Sequence, residues 1–134
     1  MNPPNAMTRE KFEDIAEEVF EGLPRLFGDR IDNVHITVED YPSEEVMHQM
    51  HAGKTTLLGL YQGTPLTHRG TWYGMSPTTP DKISLYQANI EAVCRNDEEI
   101  SERIREVLLH ELGHYFGMSE VEIRDAMKNY KPYN

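Results

Sequence analysis

The chain has 134 residues, a net charge of −10 and a hydrophobic fraction of 38%, which suits one domain built on one core. Its 13 Lys and Arg against 23 Asp and Glu argue against nucleic acid or an anionic membrane as partner, since both depend on a positive footprint. The lone cysteine, Cys94, excludes an intrachain disulfide, and no window approaches the ~18 apolar residues of a membrane span. A soluble cytoplasmic protein is expected, with residues 1–6 a loose tail and 7–134 a single domain.

In chain order, Phe12, Ile15, Ala16, Val19, Phe20 and Leu23 recur at helical spacing, with Thr8 as N-cap and Pro24 breaking the register. Leu26 and Phe27 are expected to pack in a short turn before Gly28. Val34, Ile36 and Val38 then alternate with His35, Thr37 and Glu39, which predicts a half-buried strand over 33–39. Ser43-Glu44-Glu45 can start a short helix. His48 and His51 lie three apart but have no carboxylate or cysteine at a telling spacing. Gly53-Lys54-Thr55 lacks the glycine that a phosphate loop needs at position 48.

Leu57–Tyr61 and Ile83–Tyr86 predict a second and third strand, joined by a long Gly- and Pro-rich connection that holds Trp72, Tyr73 and Met75. These two strands are expected to pair antiparallel. Asn89–Cys94 reads as a short helical piece. Asn96 then caps a long helix, with Glu99 at the capping-box position and Ile100, Ile104, Val107, Leu108 and Leu112 as its buried stripe. The fold class is therefore α+β: a small three-stranded mixed or antiparallel sheet packed on an N-terminal helix and a long C-terminal one.

The long helix ends in His110-Glu111-Leu112-Gly113-His114, followed by Gly117 and Glu120. Histidines four apart on a helix share a face, so both imidazoles can reach one metal ion. Zinc needs a third protein ligand and one open position for water. Gly117 can turn the chain sharply and bring Glu120 back as that ligand. Glu122 and Asp125 are rivals, but Ser119 can cap a final helix with Glu122 at its N3 position. That leaves Glu120 as the better choice, with Val121, Ile123 and Met127 to pack. Glu111 is free to act as general base. A zinc-dependent hydrolase is the expected chemistry, with Tyr73, Tyr115, Tyr130 or Tyr133 as candidate oxyanion donors. No carboxylate can be assigned behind either histidine.

The segments MTREKFEDIAEEVFEGLP, VHITVEDYP, LLGLYQGTPLTHR, DKISLYQ and VLLHELGHYFGMSE together resemble the minimal zincin family, small bacterial proteins of about this length. The resemblance implies a zincin core with the metal helix packed against a small sheet. It also implies His110, His114 and an acidic residue at 120 as zinc ligands, Glu111 as base, and a peptide or protein substrate. Metzincins differ by a third histidine and a methionine turn. Larger gluzincins carry their glutamate on a separate helix, for which the 20 residues after His114 leave little room. Two alternatives stand beside peptide hydrolysis: a non-catalytic zinc-binding regulatory or interaction module, and a metal-dependent endoribonuclease, which the acidic charge disfavours.

Overall fold

The computed structural model describes residues 7–23, 34–63 and 81–128. The expectations for the tail, for Leu26–Gly28, for Trp72, Tyr73 and Met75, and for Tyr130 and Tyr133 fall outside those residues. Five helices and three strands are described: α1 (Arg9–Gly22), β1 (Val34–Glu39), α2 (Glu44–Met50), β2 (Gly59–Gln62), β3 (Asp81–Tyr86), α3 (Gln87–Ala92), α4 (Asp97–Tyr115) and α5 (Glu120–Lys128). None of these helices is long and apolar enough to cross a membrane.

The sheet order is β1-β3-β2, with β1 parallel and β2 antiparallel to β3. It is thus the mixed form of the expected sheet. The central strand is buried along almost its whole length. Ile83 and Leu85 are fully enclosed, and Asp81, Ser84 and Tyr86 are nearly so. Residues of both faces are covered, so the simple alternation expected of a half-buried strand is absent here. β3 begins two residues before its apolar alternation, and β2 runs from Gly59 rather than Leu57.

A layer of helix packs on the sheet. Phe12, Ala16 and Val19 of α1 and Leu23 at its C-cap meet Ile100, Ile104, Leu108 and Leu112 of α4, with Ile83, Leu85 and Ile90 in the same core. The helix starts follow the sequence chemistry. Thr8 Oγ1 accepts from Lys11 N–H, Ser43 Oγ from Val46 N–H, and Asn96 Oδ1 from Glu99 N–H. Glu99 returns its hydrogen bond to the Arg95 N–H, one residue outside the usual box.

Two buried polar residues of α3 tie the frame together. Gln87 donates to the Met7 carbonyl and to Glu91, and accepts from Arg9, whose guanidinium also reaches the Val38 carbonyl and Asp40. The Asn89 amide donates to the carbonyls of Lys54 and Leu57, fixing the chain that enters β2. α3 starts at Gln87, two residues before the expected Asn89.

The C-terminal helix pair depends on close approach. A methyl group added at Gly113 would come within 2.7 Å of Ile123 Cδ1, and closer still to its Cγ1. Ile123 is buried against this backbone. Val121, expected to pack, is instead 59% exposed, because Ile123 and the half-buried Met127 take the inward face of α5.

Gly113→Ala should therefore destabilise the protein. Overpacking costs about 1–3 kcal/mol, which outweighs a gain in helix propensity of about 1 kcal/mol. Urea unfolding measures the net loss. Unchanged or increased stability would show that Ile123 swings aside without cost.

Candidate metal centre

The last two turns of α4 carry His110, Glu111 and His114, and their i, i+4 spacing stacks the two imidazoles edge to face, with centroids 4.9 Å apart. The helix then stops in a Schellman motif. Met118 N–H donates to the Gly113 carbonyl and Gly117 N–H to the His114 carbonyl, with Gly117 at φ 80°. Two residues later Ser119 and Glu122 form a reciprocal capping box. Glu122 N–H donates to Ser119 Oγ at 3.1 Å, and Ser119 N–H to Glu122 Oε1 at 2.9 Å. Those bonds hold the exposed Glu122 carboxyl below the usual range.

This turn returns Glu120, the first residue of α5, to the histidines. Its Oε2 lies 3.0 Å from His110 Nε2 and its Oε1 2.9 Å from His114 Nε2. Glu122 is turned to its cap, and Asp125 lies exposed further along α5. The structure thus brings His110, His114 and Glu120 together.

Glu111 has a different setting. It is 7% exposed. Its Oε1 accepts from the Tyr61 N–H of β2 at 2.8 Å, and its Oε2 lies 2.7 Å from His110 Nδ1. Sequence reasoning found no carboxylate behind either histidine. Adjacent helix residues do not normally face each other, but here the long glutamate side chain reaches across to its neighbour's ring.

The Tyr61 contact follows from register. Tyr86 N–H donates to the Leu58 carbonyl, so Leu58, Leu60 and Gln62 direct their backbone groups at β3. Tyr61 N–H points from the outer edge of the sheet instead. The phenol of Tyr61 donates to Asp81 Oδ2 at 2.8 Å, and its ring meets Tyr115 edge to face. Tyr115 is fully buried, which removes it from the expected oxyanion donors.

The charge balance of the cluster favours a cation. Hydrogen bonding to Glu111, aided by Glu120 and opposed by burial, pushes the His110 pKa up to about 9. The Glu120 carboxyl is lowered, first by its hydrogen bond to His110. A proton on His110 therefore sits between two carboxylates, where a divalent cation could replace it. Two donor triads are available. One is His110, Glu111 and His114, whose ligand atoms lie within 4.8 Å of one another. The other joins both Nε2 atoms to Glu120. In the second, the Glu120 oxygens lie 3.0 and 2.9 Å from the two Nε2 atoms. Two imidazoles and a carboxylate are a suitable donor set for that metal.

Residues 31–129 match the sequence profile of the family described as Zincin-like metallopeptidase. The chain belongs to the zincin-like metallopeptidase family. The matched segment holds all three strands and the whole α4–α5 unit, and α1 lies before it. Membership assigns a metallopeptidase at family level and implies a divalent metal, typically zinc. The chain is also similar to a solved structure, a conserved hypothetical protein from Thermo thermophilus. The two are 24% identical with a TM-score of 0.51, and the match covers 82% of this chain and 94% of that one. At that identity the likeness concerns the fold alone. No curated protein matches the chain.

The pKa shifts set a pH window for the metal-stripped protein. A raised histidine pKa contributes stability that is complete below 6.5 and lost as pH rises through about 9. A lowered carboxyl pKa contributes stability that is complete above 4.5 and lost as pH falls. The His110 network is thus fully effective between pH 4.5 and 6.5. In chelator the melting temperature should fall from about pH 6 to about pH 10, and Glu111→Gln should reduce that fall more than Glu120→Gln. Equal slopes in all three proteins would contradict it.

Proposed function

We propose that this protein is a zinc-dependent peptidase in which His110, His114 and Glu120 hold the metal and Glu111 is the general base. The observation that carries the reading is the approach of one Glu120 carboxylate to both imidazole Nε2 atoms, at 3.0 and 2.9 Å, beside a buried second carboxylate. Glu120 is preferred to Glu111 as ligand because its carboxylate faces the Nε2 atoms of both histidines, whereas Glu111 faces Tyr61 N–H and His110 Nδ1. Zinc held there supplies Lewis acidity towards water and a scissile carbonyl.

The protein's own contribution is to position and move a proton. Tyr61 N–H holds Glu111 Oε1, and Oε2, once released from His110 Nδ1, takes a proton from the attacking water and delivers it to the leaving amine. The low exposure of Glu111 limits competing hydration.

One observation favours a second reading. Glu111 Oε2 sits on His110 Nδ1 at 2.7 Å, the position of a carboxylate that orients a metal-bound histidine. In a non-catalytic zinc module that would be its whole role.

The Glu111→Gln variant separates the two. As a base, its loss should leave one zinc per chain and lower kcat by about 10²–10⁴-fold on a peptide-library substrate. As an orienting group only, its loss should weaken zinc binding by about 10–100-fold with no turnover to lose. For the third ligand, Glu120→Ala should raise the zinc dissociation constant by about a hundredfold or more, whereas Glu122→Ala should change it by less than about tenfold. The reverse order would assign the metal to Glu122.

A further inference from the structure

On the α5 side of the cluster the surface forms an open hollow of about 410 Å³ lined by His110, Glu120, Ile123, Arg124, Met127 and Lys128. Its floor is apolar: Ile123 is buried and Met127 half-buried. Its rim carries Arg124 and Lys128, one turn apart and both exposed. Neither side chain has an ion pair or hydrogen bond among the described residues. Of the neighbouring acids, Glu120 is turned to the histidines and Asp125 has a partner of its own.

Two cations with no acidic partner among the described residues thus share one hollow, in a chain with 23 acidic and 13 basic residues. The hollow's chemistry suits a flexible stem ending in a carboxylate. Methylenes can lie on Ile123 and Met127, and the charge can reach a guanidinium that presents paired donors.

We infer that Arg124 and Lys128 form a specificity subsite for a peptide carboxylate, so that the substrate class is acidic peptides despite the acidic protein. The inference rests on the peptidase reading for its link to turnover, but the binding preference stands apart from hydrolysis. The carboxylate can come from an Asp or Glu side chain or from a free C-terminus. Both share the same recognition chemistry. Exposed charge pairs are individually weak, so the preference should be moderate and should fall with salt.

The test uses zinc-loaded Glu111→Gln protein and fluorescein-labelled octapeptides in an Ala-Leu background, read by fluorescence anisotropy. One set steps Glu or Gln through each position with an amidated C-terminus. A second has no acidic side chain and ends free or amidated. Glu at one position, or the free terminus, should tighten binding roughly fivefold over its neutral counterpart. The set that shows the gain identifies the source of the carboxylate. The double variant Arg124→Gln with Lys128→Gln should bring the ratio to within about twofold, and Arg124→Glu with Lys128→Glu should favour Lys peptides instead. Because both side chains are exposed, these variants should fold normally, which melting curves check. Equal affinities in the parent, no binding of any peptide, or a preference that survives in the double variant would overturn the inference. A retained preference with no cleavage by Glu111-intact protein would overturn the peptidase reading alone.

Discussion

The contact between Glu120 and the two histidine Nε2 atoms depends on how α4 ends. A glutamate ten residues after His110 would ordinarily lie far along a continuous helix, about 15 Å away by helical rise. Three local devices return it. Gly117 adopts a left-handed conformation and closes the Schellman bonds. Ser119 and Glu122 start the next helix within one turn. Gly113 has no side chain, which lets Ile123 seat that helix against α4. None of these devices touches the histidine nitrogens, yet together they decide where the carboxylate falls.

The sheet contributes from the other side. β3 is the buried central strand, β2 is held to it by ladder bonds, and Asn89 fixes the chain leading into β2. The result is an outward N–H at Tyr61 that takes Glu111 Oε1. The cluster is thus a continuous path from Asp81 through Tyr61, Glu111 and His110 to Glu120 and His114. Two carboxylates around two imidazoles leave it short of positive charge, which is why His110 holds its proton so strongly.

Most of this frame was legible in the sequence because it is written in local chemistry. Thr8, Asn96 and Ser119 are cap residues with a characteristic offset, and the α1 and α4 stripes follow helical periodicity. The Glu122 cap and the turn at Gly117 point to Glu120 by elimination, and its carboxylate lies beside both Nε2 atoms. What was not legible depends on tertiary placement. The Tyr61 N–H is a backbone donor, with no side chain to mark it, and its direction depends on strand register. Tyr115 reads as a possible donor until its burial is known. Val121 and Ile123 are equally apolar, and only the docking angle of α5 decides which is covered. Gln87 and Asn89 are polar, so a search for apolar stripes passes over their structural roles.

The most direct test of the account is an anomalous difference map from crystals of the zinc-loaded protein, recorded on both sides of the zinc edge. One strong peak per chain is expected at roughly 2.0–2.2 Å from His110 Nε2, His114 Nε2 and a Glu120 oxygen, with Glu111 outside bonding distance. A peak bonded to Glu111 in place of Glu120, or one at His48 and His51, would contradict it.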